Sequence, residues 1–395
     1  MFVRGVRPIP NAIIYSLQNS MKLLVVSHAY AERANHKKLE QLAAIPDLKV
    51  GLIYPRKWRT WHGEYRNAQI PTRPPIEENQ IYKEYPVDTV FTGDGGKYFY
   101  SPIHLIVSLL AFRPDIIYLE EEPFAPVALE VAFASLVFRK KLVFFTWENL
   151  DLPLGNLRNF IEKFTYSIAS KAVAGNLGAT ERLTNSGFLK PTAVIPQFGV
   201  NVEMFRRFES GQSEGGVKPL TIGFVGRPSA AKGLDVLMRA VSMLDFDFRL
   251  LIITSSKEIN SEFIDLAHSL KISERVQYKT SIPHSELVRY FNQMDVFVLP
   301  SRTTKTWKEQ FGRTIIEAMA CGVPVVGSSS GAIPEVVDTA GLIFKEEDSY
   351  DLREKLSLFR NEATRKEFSE AGSKRVSENY TYPIICSNLI NFLGH

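Results

Sequence analysis

Twice along these 395 residues, short runs of Val, Ile, Leu and Phe alternate with segments of helix length, and few folds accept that rhythm. The first series has strand candidates at 23–27, 48–54, 116–119, 142–146, 172–175 and 193–195. Each is apolar without polar alternation, which marks strands covered on both faces, as in a parallel sheet wound by helices. A polar, glycine-rich stretch at 209–216 precedes a second series at 220–225, 249–254, 276–278, 296–299, 323–326 and 341–344. The expectation is α/β, with two doubly wound, Rossmann-like domains over 21–200 and 201–382. Their strand C-termini would face a shared interdomain cleft, where open α/β folds bind ligands. A chain of this length with 45% hydrophobic residues exceeds one ordinary core. Residues 1–20 read as a tail or an upstream start, because Met21-Lys-Leu-Leu-Val-Val-Ser27 resembles a first strand.

Several classes are disfavoured. A formal net charge of +4 suits phosphate-bearing or anionic-surface partners but does not mark a nucleic-acid binder. Cys321 and Cys386 are the only cysteines, so neither a disulfide framework nor a zinc knuckle can be built, and a reducing cytoplasm is the natural compartment. The histidines, His28, His36, His62, His104, His268, His284 and His395, show no HExxH and no i,i+4 pairing, and no metal is expected. Val26 is not followed by GxGxxG, which argues against a nicotinamide cofactor. The apolar stretch 104–112 is too short to span a membrane, and 124–138 is broken by Glu130, so both read as packed helices.

The chemistry concentrates in the second half. Glu309 and Glu317 sit eight apart in a run from Pro300 to Val326 that reads as strand end, polar loop, helix and buried strand. A helix beginning near Gly312 would leave Glu309 in the loop ahead of it. Glu317 would project back toward the helix N-terminus, a place suited to phosphate. The neighbours of Glu317, Ile315, Ile316, Ala318 and Met319, mark a mostly buried helix, where a carboxylate without partners is costly. Upstream, Gly226-Arg227 and Lys232-Gly233 lie between a strand and a helix. Gly226 allows close backbone approach there, and two cations can balance a diphosphate without a metal. The bland readings are solvated loop cations for Arg227 and Lys232, a capping or solvated carboxylate for Glu309, and an ordinary helix-face residue for Glu317.

These residues, with Glu317-Ala-Met-Ala-Cys-Gly-Val-Pro-Val-Val326, resemble the retaining glycosyltransferases of family 4, group 1 enzymes with a GT-B fold. The likeness covers 220–345 closely and the N-terminal half only in strand pattern. It implies that Arg227 and Lys232 grip the donor's phosphates, Glu309 meets the transferred sugar and Glu317 takes the ribose diol. Gly226, Phe311, Gly312 and Arg313 complete the donor side, and Arg227, Lys232 and Glu309 are the catalytic candidates. It also implies that residues 383–395 cross back to the first domain. There are departures: Ser27-His-Ala-Tyr-Ala-Glu-Arg-Ala-Asn35 replaces the usual glycine-rich loop, Thr146-Trp-Glu-Asn149 lacks the histidine many relatives carry, and Gly331-Ala332 replaces Gly-Gly.

On the acceptor side the candidates are His28, Glu121, Glu148 and Asn149, at strand ends of the first domain, with Glu120 and Glu122 beside them. The stretch 54–66, rich in Trp, Tyr and Arg, could stack on sugars or meet an anionic surface. The expectation is a retaining, metal-independent transferase moving a sugar from a nucleotide-diphosphate sugar to an acceptor hydroxyl. That acceptor would be a glycan or lipid-linked, with peripheral contact at the inner face of a membrane. The alternatives are a nucleotide-sugar epimerase and a catalytically silent nucleotide-sugar-binding protein.

Overall fold

The apolar runs become parallel strands in two separate sheets. The computed structural model describes residues 20–59, 65–67, 81–94, 96–151, 153–208 and 218–394. The anticipated tail at 1–19, the polar stretch at 209–216, and residues 60–64 of the aromatic and basic stretch lie outside that set. The chain divides into two compact units, residues 1–199 with 382–395, and residues 200–381.

In the first unit the strands are β1 (Met21–Val26), β2 (Leu48–Pro55), β3 (Lys57–Arg59), β4 (Tyr65–Asn67), β5 (Lys83–Val87), β6 (Thr89–Val90), β7 (Phe99–Tyr100), β8 (Ile116–Leu119), β9 (Lys141–Thr146), β10 (Lys171–Ala174) and β11 (Thr192–Val194). Seven form one sheet in the order β11-β10-β9-β8-β1-β2-β5, while β3 with β4 and β6 with β7 make two short ribbons. Leu23 pairs with Val50 on one side and Ile116 on the other. Alternate residues of β1 serve opposite cores, Leu24 and Val26 on one face, Leu23 and Val25 on the other. Helices α2 (Pro102–Phe112), α3 (Pro126–Val137), α4 (Gly155–Ile168) and α5 (Leu177–Asn185) cover the first face. The second is covered by α1 (Lys37–Ala43) and α13 (Tyr382–Gly394). Pro383 stands in the first turn of α13, where its missing N–H costs no helical bond, so it starts a helix separate from the one ending at Asn379.

The second unit holds β12 (Leu220–Val225), β13 (Phe248–Ile253), β14 (Val276–Lys279), β15 (Val296–Leu299), β16 (Val325–Ser328) and β17 (Leu342–Phe344), in the order β14-β13-β12-β15-β16-β17. Its helices are α6 (Leu234–Ser242), α7 (Ser261–Ser269), α8 (Leu287–Phe291), α9 (Arg313–Ala320), α10 (Ile333–Val337), α11 (Ser349–Leu358) and α12 (Glu362–Asn379). The strand expected at 323–326 begins two residues later, because Gly322 takes a left-handed turn and Pro324 has no N–H for the ladder.

One reading is corrected: the sheet's seventh strand, β5, lacks a counterpart among the anticipated strands. The helices over 102–112 and 126–137 pack on the sheet as expected, with Ile103, Val107, Leu110, Phe133 and Val137 exposed on their other side.

Candidate active site

The two groups of candidate residues lie at the C-terminal ends of the strands of their own sheets. In the second unit the turn after β12 is stitched to the loop after β15. Gly233 has φ of +64°, and a Cβ there would lie 1.9 Å from the Pro300 carbonyl oxygen, so only glycine fits. The Arg302 N–H donates to the Ala231 carbonyl at 2.9 Å, tying the same two loops. This places Lys232 against Glu309: its Nζ donates to Oε2 at 2.6 Å, and Ser301 Oγ donates to the same oxygen at 2.8 Å. The ammonium also lies 4.7 Å from the centre of the Trp307 ring.

Glu309 is held from below by a second glycine. Gly331, with φ of +54°, lies so close that a Cβ would be 2.0 Å from the Glu309 carbonyl oxygen, while the Ala332 N–H donates to that oxygen at 2.9 Å. The methyl of Ala332 is buried. The anticipated Gly-Gly departure therefore leaves the left-handed position intact.

Helix α9 starts at Arg313 behind Gly312, which takes φ of +76° and offers no side-chain cap. Within this first turn Ile315 donates its N–H to the Gly312 carbonyl at 2.8 Å. One turn on, Glu317 is 1% exposed; its Oε1 lies 2.7 Å from His284 Nε2 and 3.0 Å from Arg313 Nε. A buried carboxylate therefore has two basic neighbours, as its burial demands. Phe311 is buried and meets Tyr380 edge to face, which fixes the turn before the helix. Gly226 donates its N–H to Ile253 and sits over Phe224, and Arg227 follows it, exposed at the end of β12. Burial pushes the Cys321 thiol up to about 12, helped by the Glu317 charge, so it carries no thiolate at neutral pH.

In the first unit, His28 follows β1 and Glu121 follows β8, parallel neighbours. Nδ1 of His28 lies 2.7 Å from Oε1 of Glu121, which also accepts from the His28 backbone N–H at 2.6 Å and the Tyr98 hydroxyl at 2.8 Å. The imidazole stacks on Trp58, centres 4.7 Å apart. Burial lowers the pKa of His28, but the charge and hydrogen bond of Glu121 outweigh it and leave the group raised. The neighbouring carboxylates are not a solvated edge. Glu120 accepts from buried Lys38 and from the Tyr30 hydroxyl at 2.8 Å. Glu122 accepts from the Thr146 hydroxyl and from Trp147 N–H at 2.8 Å. Glu148 accepts from Leu150 N–H at 3.0 Å as a turn residue, and Asn149 is buried.

The structure thus joins Lys232 to Glu309, Arg313 to Glu317, and His28 to Glu121. It adds His284, Ser301 and Trp307 to the second-unit site and Trp58 and Tyr98 to the first. Among the described residues no group of three or more His, Cys, Asp or Glu comes together that could hold a metal ion. No helix among the described residues is long and apolar enough to cross a membrane.

Comparison with known proteins agrees with this geometry. Residues 205–375 match the family model described as glycosyl transferases group 1. A D-inositol 3-phosphate glycosyltransferase of Mycobacterium marinum is 29% identical over 198 residues, 48% of this chain and 41% of that protein. The chain thus matches less than half the length of that curated relative. Sucrose-phosphate synthase from Thermosynechococcus elongatus superposes with a TM-score of 0.69 at 16% identity, over 94% of this chain and 98% of that one. HepE of Anabaena, solved with UDP, gives 0.68 at 16% identity, over 94% and 99%; it has also been solved with UDP-glucose. The chain has the GT-B fold of these solved glycosyltransferases, and its residues 205–375 match the group 1 glycosyltransferase family.

Proposed function

We propose that the chain is a retaining, metal-independent glycosyltransferase of family 4 that moves a sugar from a nucleotide-diphosphate sugar to an acceptor hydroxyl. The observation that carries this reading is the 2.6 Å contact between Lys232 and Glu309, fixed by two left-handed glycines beside an uncapped helix start. Arg227, Lys232 and the first N–H groups of α9 would hold the diphosphate, whose charge grows as the glycosidic bond breaks. Two cations supply that balance without a metal ion. Glu309 would accept hydrogen bonds from hydroxyls of the transferred sugar, and Glu317 from the ribose diol, with Arg313 and His284 fixing its position.

Retention would follow from reaction on one face. As the bond from C1 to the phosphate oxygen breaks, the acceptor oxygen bonds to C1 from the same side. The acceptor's proton then passes to the departing phosphate oxygen. Cys321, protonated and buried, is not suited to a double-displacement nucleophile. On the acceptor side, His28 and Glu121 would bind a hydroxyl of a glycan or lipid-linked acceptor, with Trp58 offering a ring face for a sugar. Glu148 and Asn149 belong to the same strand-end loops. Cys321 and Cys386, both buried free thiols, suit a cytoplasmic setting.

The test is a transfer assay starting with UDP-glucose, the ligand found in HepE. Product with retained anomeric configuration, formed at equal rate with and without chelator, is the expected result. A strict divalent-cation requirement would remove metal independence. Release of an epimerised nucleotide sugar would favour the epimerase reading, and binding without turnover over a broad acceptor panel the silent one.

A further inference from the structure

The outer side of the first unit carries an apolar surface that neither sheet uses. Helix α2 buries Leu105, Leu109 and Phe112 against the sheet, yet its opposite side is also apolar: Ile103, Ile106, Val107 and Leu110 are 40–73% exposed, at helical spacing. A helix apolar on both sides is ordinarily covered on both. On α3, Phe133, Leu136 and Val137 repeat the pattern, and on α4, Leu157 and Phe160 do. These helices seal one face of one sheet, so their outward sides belong to a single layer. Monomers rarely expose a contiguous apolar surface of this extent without a use for it.

The chemistry around the patch selects its occupant. The C-terminal ends of α2 and α3 bound a pocket of about 330 Å3, lined by Leu109, Leu110, Pro114 and Phe138 with Arg113 and Lys140 among them. Arg139, next to Lys140, is exposed. The carboxylates nearby are engaged elsewhere: Asp115 accepts from Lys22 N–H at 2.8 Å, and Glu130 from Tyr100 N–H at 2.9 Å. Apolar side chains flanked by cations, with an apolar pocket opening among them, match acyl chains beneath phosphate headgroups.

We propose that the outer face of α2, α3 and α4 docks on an anionic lipid bilayer, with Arg113, Arg139 and Lys140 on the headgroups and the α2–α3 pocket open to acyl chains. The surface differs from the stretch at 54–66 that composition suggested. It belongs to the first unit and the donor-side residues to the second, so its failure would leave the proposed activity untouched, and the reverse.

The test is flotation of the full chain with phosphatidylcholine vesicles, with and without phosphatidylglycerol. Binding should require phosphatidylglycerol and weaken with salt. Joint reversal by Arg139→Glu and Lys140→Glu should lower the partition coefficient roughly a hundredfold. Ile106→Asp with Phe133→Asp should abolish binding while UDP binding stays unchanged. If that apolar variant fails to fold, the charge-reversal variant decides alone. The proposal is overturned if the wild-type chain stays with the unbound fraction, or if it binds both vesicle types equally. It is also overturned if Phe133→Asp instead removes a concentration-dependent self-association, which would make the face a protein interface.

Discussion

The ammonium of Lys232 lies 2.6 Å from a carboxylate oxygen of Glu309, 77 residues further along the chain. Each is delivered by a separate loop, and each loop depends on a glycine whose place no side chain can take. The pair is half buried, which keeps the ammonium in a fixed position where a diphosphate can meet it.

Replacing either cation should therefore cost turnover. Lys232→Ala and Arg227→Ala are each expected to lower kcat by about 10²-fold, the usual loss for a preorganised charge donor. Lys232→Ala also strips Glu309 of its ammonium, so it should lower the melting temperature. Lys232→Met combined with Glu309→Gln should recover stability but not turnover. Steady-state kinetics beside thermal melts checks both, and unchanged turnover in both single variants would remove the phosphate role.

Glu317 should act on the nucleotide rather than the sugar. Glu317→Gln is expected to weaken binding of the bare nucleoside diphosphate by about tenfold, and His284→Ala by less, since Arg313 still faces the carboxylate at 3.0 Å. Calorimetric titration with UDP measures this, and undiminished affinity for Glu317→Gln would place the ribose elsewhere.

Much of this was legible beforehand, and the gaps have physical causes. Central strands such as β8, β12 and β15 announce themselves because burial on both faces demands unbroken apolar runs. Strand β5 escapes notice because it lies at the sheet edge and carries Lys83, Glu84 and Pro86, tolerable only there. The Glu309 and Glu317 positions show in one continuous segment. His284 does not, since it reaches Glu317 from 33 residues upstream through tertiary packing alone. The same holds for Trp58 and Tyr98 around His28. Ser301 lies inside the quoted segment, but a serine after a strand carries no signal of which oxygen it will meet.

Glu122 gives the fold a pH dependence. Burial pushes its carboxyl up to about 7, with Glu148 adding to the shift and the Thr146 and Trp147 hydrogen bonds opposing it. A carboxyl raised in the folded state binds its proton more tightly there than in the unfolded chain. Its contribution to stability therefore falls as pH rises from the unfolded value near 4.5 through about 7, then levels off. Melting temperature measured across that range should decline more steeply for the wild-type chain than for Glu122→Gln. Parallel curves would show that Glu122 keeps an ordinary pKa.

Helix α13 completes a core it does not adjoin in sequence. Ile385, Cys386, Leu389, Ile390 and Leu393 are buried among residues that include Leu39 and Leu42 of α1. At about 2 kcal/mol for each buried side chain, their loss removes on the order of 10 kcal/mol, comparable with the whole stability of a domain. Truncation after Tyr382 should leave the first unit unfolded by hydrogen exchange while UDP binding, which residues 200–381 would supply under the proposed function, persists in part. Full protection of β1 and β2 in the truncated chain would contradict this.

The central claim is that Lys232 meets the diphosphate of a nucleotide sugar and Glu309, beside it, the transferred sugar, and ligand-induced stabilisation of the wild-type chain and Glu309→Gln tests it most directly. A saturating donor, near 100 times its dissociation constant, should stabilise the wild-type chain by about 2.7 kcal/mol. The account predicts that Glu309→Gln keeps the stabilisation given by the bare nucleoside diphosphate and loses most of the increment added by the sugar. Equal loss with both ligands, or no stabilisation of the wild-type chain by any nucleotide sugar, would contradict it.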